Sequence, residues 1–121
     1  MVLVDTSVWV SHLRQGDAHL KALLIDAQVV CHPFIIGELA CGNLKNRLEI
    51  LSLLQSLPSA TPAEHKEVMR FMEDHHLMGQ GLGYIDVHLM ASALLSGVPI
   101  WTLEKRLHRV STELGISLRP F

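Results

Sequence analysis

The chain opens MVLVDTSVWV, and residues 1–4 are apolar without interruption before Asp5, Thr6 and Ser7 break the run. A strand with one wet face alternates apolar and polar residues. An unbroken apolar run is what a strand buried on both faces looks like, and such strands belong to parallel sheets covered by helices. No turn residue separates this run from Val8, Trp9 and Val10, so the strand must pass straight into a helix with a carboxylate at the junction. Parallel neighbours then need crossover connections, which constrains everything downstream.

The remainder of the chain supplies them. Helical spacing is expected over about residues 7–13 and again in DAHLKALLIDA, followed by a second strand in QVVCH. Pro33 sits where a helix can start, and FIIGELACG continues it to Gly42 and Asn43. RLEILSLLQSL and AEHKEVMRFMEDHHLM read as amphipathic helices, the second with Val68, Phe71 and Met72 as its apolar stripe. The glycines of GQGLGY mark a loop, YIDVHLMASALLSG a helix closed by Gly97, VPIWTL a strand and EKRLHRVSTELG a last helix. ISLRP is expected to add a final edge strand. Strands alternating with helices give an α/β domain of three layers, a mainly parallel central sheet with helices on both faces. At 121 residues, without an internal repeat or low-complexity tract, residues 1–121 are expected to form a single domain.

Composition removes several function classes. The formal net charge is −2, so no global basic field advertises nucleic acid, and such a partner would need a local patch. The hydrophobic share of 49% fits buried strands together with a subunit interface. The longest uncharged run, VHLMASALLSGVPIWTL, is interrupted by Gly97 and Pro99 and carries His88, which fits a helix, a turn and a strand better than a membrane span. No basic, apolar leader stands at the start, and Cys31 and Cys41 lack CxxC spacing, so the expected setting is the reducing cytoplasm.

Four acids carry the functional argument. In parallel α/β folds ligands gather at the carboxyl ends of strands, where Asp5, Thr102 and Glu104 fall. Glu38 in FIIGELACG and Asp86 in GYIDVHLM lie in apolar surroundings. Their helix neighbours three and four positions away (Phe34, Ile35, Cys41 and Gly42; Leu82, Gly83, Leu89 and Met90) include no cation. Burial of both is expected, and a buried unpaired carboxylate costs several kcal/mol unless it finds a partner, a proton or a metal. A divalent cation is the economical answer. Each acid also has an ordinary structural use: Asp5 as a helix N-cap, Glu104 and Asp86 as first-turn acids favoured by the helix dipole, Glu38 in a buried ion pair. The case therefore rests on the four together.

At this point VDTSVWV, IGELACG, GYIDVHLMASAL and WTLEKRL, in that order and over nearly the whole chain, resemble a PIN domain of the VapC toxin type from bacterial type II toxin–antitoxin pairs. The resemblance implies a metal-dependent endoribonuclease using Mg²⁺ or Mn²⁺, a homodimer, an RNA substrate and a cognate antitoxin. It implies that Asp5, Glu38 and Asp86 are the first three catalytic and metal-binding acids and that Glu104 takes the fourth position. Thr102, Thr6 and Ser7 match the small polar residues that support them. Glu104 departs from the family's usual Asp, and its extra methylene can move the carboxylate by about 1 Å, enough to matter for metal geometry. Lys105 and Arg106, with Arg109 beyond them, are candidate contacts to the RNA backbone; the alternative is a solvated helix face.

Two other readings of a strand-end acid, one enzymatic and one not, are disfavoured. A phosphoryl-transfer domain of the haloacid-dehalogenase type needs a second Asp where Ser7 stands, and a receiver-like signalling domain needs Lys–Pro where Lys105 is followed by Arg106. A PIN-fold protein impaired by the change at Glu104, binding RNA or a partner without cleaving, stays open. The eight histidines offer no zinc pattern, and Trp9 and Trp101 read as packing residues.

Overall fold

The computed structural model describes residues 1–118. Its centre is β1 (Val2–Val4), a strand of three residues that are all buried. Successive side chains of a strand point to opposite faces, so burial of Val2, Leu3 and Val4 alike means that helices cover the sheet on both sides. The strand partners are β2 (Val29–Val30) and β3 (Ile100–Trp101), both parallel to β1 and one on each side, in the order β2-β1-β3. Register pairs Val2 with Val29, Leu3 with Val30 and Ile100, and Val4 with Trp101. All three strands therefore end at the same side of the molecule, where Asp5 follows Val4 and Thr102 follows Trp101. The α/β fold with a parallel sheet is as expected.

The crossovers are helices. They are α1 (Thr6–Gln15) and α2 (Ala18–Ile25) between β1 and β2; α3 (Pro33–Ala40), α4 (Arg47–Ser56), α5 (His65–Asp74) and α6 (Tyr84–Ser96) between β2 and β3; and α7 (Lys105–Glu113) after β3. Local chemistry sets several boundaries. Asp17 accepts the Leu20 amide at 2.9 Å and caps α2. Pro33 takes the first position of α3, where its missing N–H costs nothing. Gly97 closes α6 with a left-handed φ of 65°. Within α6, residues 87–93 are all buried, which makes it the central helix of the core.

The core also holds a polar network that sequence patterns did not reveal. His32 is fully buried, and its Nδ1 accepts the Phe34 amide at 3.0 Å, so a histidine caps α3. Because Nδ1 accepts, Nε2 carries the proton and donates to Ser92 Oγ at 3.1 Å. Ser92 Oγ also accepts the Ala63 amide at 3.0 Å and reaches His88 Nδ1 at 3.5 Å. Burial, and after it the nearby His88, holds His32 down to about 4, so the ring is neutral at neutral pH.

The structure differs from the expected elements at the ISLRP strand and at the end of the AEHKEVMRFMEDHHLM helix. The final strand is a single parallel bridge from Ser117 to Ile100, flanked by Ile100 N–H to Ile116 O at 2.7 Å and Leu118 N–H to Ile100 O at 3.0 Å; the Arg119–Pro120 part of ISLRP lies outside the described residues. On the opposite edge, Ser59 of PSATP pairs with Cys31, a sheet contact that a Pro-bracketed, polar loop does not advertise. His75 and His76 lie past the end of α5, with His76 at φ 52°.

Candidate active site

The end of β1 delivers Asp5 into a pocket of hydroxyls. Asp5 is the N-cap of α1 by backbone, yet its side chain caps no amide of that helix. It turns instead toward β3: Oδ2 accepts Thr102 Oγ1 at 2.7 Å and Ser7 Oγ at 2.8 Å. Each hydroxyl has one proton, and both protons are spent on Oδ2, so the 3.2 Å contact between Ser7 Oγ and Thr102 Oγ1 carries none. The hydroxyl oxygens are in turn held by backbone amides, Leu103 N–H to Ser7 Oγ at 3.0 Å and Glu104 N–H to Thr102 Oγ1 at 3.0 Å. Asp5 is 6% and Thr102 3% exposed, so these are charge-assisted bonds sheltered from water. The simple helix-cap reading of Asp5 fails, and the other oxygen, Oδ1, meets no donor among the described residues.

The other three acids come to the same place from three helices. Glu38 on α3 accepts Thr6 Oγ1 at 2.8 Å, which ties it to the first residue of α1 beside Asp5. Asp86 lies in the first turn of α6 and its Oδ2 accepts the Gly83 amide at 3.0 Å, so one oxygen does the structural work of a first-turn acid. Glu104 is the N-cap residue of α7, with no side-chain capping bond. The acids are near enough to influence one another's charge. The Asp86 carboxyl is pushed up first by burial and also by the charge of Asp5, with the Gly83 amide pulling the other way. Glu104 is pushed up by loss of water around its carboxyl, then by Asp86, Asp5 and Glu38, and Arg106 opposes them. All four acids therefore share one field. Among the described residues none of them forms an ion pair with a Lys or Arg.

The burial expected for Glu38 and Asp86 is not what the structure shows. Glu38 is exposed, as is Glu104, while Asp86 is half-buried and only Asp5 is buried. On α3 the buried positions are Ile35 and Leu39, one turn apart, and Glu38 lies off that stripe, so apolar neighbours in the chain do not bury it. What makes Glu38 part of the site is its bond from Thr6.

The predicted basic residues Lys105 and Arg106 are exposed in the first turn of α7. Arg109, one turn along, reaches the Gln80 carbonyl with Nη2 at 3.4 Å. The glycine loop 79–83 thus belongs to the site, since its Gly83 amide holds Asp86. Residue spacing marked it only as a loop.

As a donor set the site offers only hard oxygens. Among the described residues no group of three or more His, Cys, Asp or Glu side chains is placed to hold a metal ion together. Spaced carboxylates with a free oxygen on Asp5 and another on Asp86 suit an ion that takes one or two protein carboxylates and keeps its waters, as Mg²⁺ does.

The PIN domain family model matches residues 2–113. This chain belongs to the PIN domain family. The PIN domain is 45% identical over 119 residues to ribonuclease VapC32 of Mycobacterium tuberculosis strain CDC 1551 / Oshkosh, covering 98% of this chain and 96% of that one. The ribonuclease VapC32 of strain H37Rv matches to the same extent. In fold, the PIN domain is similar to the crystal structure of PAE2754 from Pyrobaculum aerophilum, with a TM-score of 0.59 and 17% identity over 94% of this chain and 88% of that one. No helix among the described residues of the PIN domain is long and apolar enough to cross a membrane.

Proposed function

We propose that this PIN domain is a Mg²⁺- or Mn²⁺-dependent endoribonuclease, the toxin of a toxin–antitoxin pair, acting in the cytoplasm as a homodimer. The observation that carries the reading is the buried Asp5. Thr102 and Ser7 clamp one of its oxygens, the other is free, and three further acids share its field without a cation partner. Two full-length relatives carrying the name ribonuclease support the same reading.

Asp5 and Asp86 would hold the metal through the oxygens their hydrogen bonds leave free, and Glu38 and Glu104 would orient its waters. When bound, such an ion supplies an activated water for attack on the phosphodiester and neutralises charge on the scissile phosphate. Thr102 and Ser7 keep the Asp5 carboxylate from rotating, which fixes the direction of its free oxygen. Thr6 does the same for Glu38. Lys105 and Arg106 would bind RNA phosphates beside the acids, giving the site the local positive charge that the whole chain lacks.

Cleavage of a single-stranded RNA is measured with Mg²⁺, with EDTA, and with Asp5→Asn. The expected result is cleavage by the wild type with metal only, and none by the variant. Cleavage that survives EDTA or the Asn substitution refutes the mechanism. A folded wild type that binds RNA without cutting it at any Mg²⁺ or Mn²⁺ concentration establishes the impaired-PIN alternative instead.

A further inference from the structure

Loop 79–83 carries three glycines, and they are not equivalent. Gly79 and Gly81 both adopt left-handed φ values, 74° and 75°. A Cβ added to Gly79 would meet nothing within 4 Å. A Cβ added to Gly81 would stand 2.9 Å from Arg106 Cδ, 2.9 Å from Nη1 and 3.0 Å from Nε. The end of the Arg106 side chain thus lies directly over the bare Cα of Gly81, and a side chain at position 81 would have to displace it.

Arg106 is exposed, and among the described residues its guanidinium makes no hydrogen bond and no ion pair, so its five N–H donors are unspent where its end lies against the loop. A planar fork with free donors, lying at the edge of an acid cluster, suits a phosphate oxygen pair. Gly81 is two residues from Gly83, whose amide holds Asp86, and Arg106 is two residues from Glu104. One loop therefore sets the place of both an acid and a cation. The neighbouring contact from Arg109 to Gln80 O anchors the same loop to α7.

We propose that Gly81 is a positioning residue for RNA binding: its missing side chain is the seat on which Arg106 rests, and the seat directs the guanidinium to a substrate phosphate. The inference rests on the ribonuclease reading above, and its test is separable from that reading.

The salt dependence of kcat/KM for single-stranded RNA cleavage is measured for wild type, Gly81→Ala, Gly81→Asn, Arg106→Ala and the double variant Gly81→Ala/Arg106→Ala. One phosphate contact to single-stranded RNA contributes roughly 0.7 to the log–log salt slope. Arg106→Ala and both Gly81 variants should each lose about that amount, with the loss falling on KM, and the double variant should lose no more than either single. Asn tolerates left-handed φ better than Ala, so Gly81→Asn separates loss of the seat from backbone strain. A wild-type slope in both Gly81 variants, with or without a lowered melting temperature, overturns the inference, because a purely structural glycine predicts that result. A wild-type slope in Arg106→Ala overturns it too. Failure of the wild type to cut RNA with metal would instead refute the underlying ribonuclease reading.

Discussion

Replacing Thr102 with valine keeps the shape of the side chain and removes one hydroxyl. That hydroxyl donates to Asp5 Oδ2 at 2.7 Å and accepts the Glu104 amide at 3.0 Å, with Thr102 only 3% exposed. Loss of a hydrogen bond to a charged group costs about 1.5–3 kcal/mol, and the stranded amide adds to it. The amide belongs to exposed Glu104, so water can take over much of that second cost. The extra buried methyl of valine returns about 0.8 kcal/mol. The net destabilisation is then about 2 kcal/mol, which for a domain of this size lowers the melting temperature by roughly 8 °C. Asp5 would keep only its bond from Ser7 and could rotate, so metal affinity or cleavage should drop by about 10- to 100-fold, the usual result of removing a partner behind a metal ligand. Thermal melting without metal, followed by Mn²⁺ titration of the same samples, reads both effects. A Thr102→Val protein that melts within 2 °C of wild type (roughly 0.5 kcal/mol) and binds metal equally well would refute the claim that this hydroxyl holds Asp5 in place.

Two further outcomes are expected from the charges. Asp86→Asn removes a carboxylate that burial and Asp5 disfavour in the native state, so without metal it should melt above wild type and lose most of the Mg²⁺-induced rise in melting temperature. A carboxyl raised on folding makes stability fall as pH rises from its ordinary value of 3.8 through the native one, so the advantage of Asp86→Asn should grow from acid toward neutral pH; an advantage largest in acid would be the wrong sign. His32 acts in the opposite direction, because its native value of about 4 lies below its ordinary 6.5. Neutral His32 contributes on the order of 3 kcal/mol that is fully present above pH 6.5 and lost as pH falls toward 4. Denaturant unfolding of His32→Asn, which can still cap α3, should show a flatter loss over that window, and an unchanged profile would mean that another group governs it.

How much of the site could be read in the chain varies residue by residue. Asp5 was legible because a fully apolar strand ending on an acid has few uses, and the parallel register places that end beside Thr102. Glu38 was found by an argument that the structure corrects. Its apolar neighbours suggested burial, yet the i, i+4 stripe of Ile35 and Leu39 takes the buried side and leaves Glu38 exposed, tied to Thr6 across 32 residues of chain. The Ser59 bridge and the His32–Ser92–Ala63 network were invisible because each joins segments with no local periodicity in common.

The linear order of residues determined the alternation of strand and helix, the buried parallel sheet and the four acids, because hydrophobic spacing and strand-end chemistry are local properties. The tertiary structure decided which oxygen of Asp5 is occupied, which of the acids is buried, and that Arg106 lies on Gly81 rather than pairing with a carboxylate. Those are distances between segments far apart in the chain. They are set by how helices cross the sheet, and no spacing within a single segment encodes them.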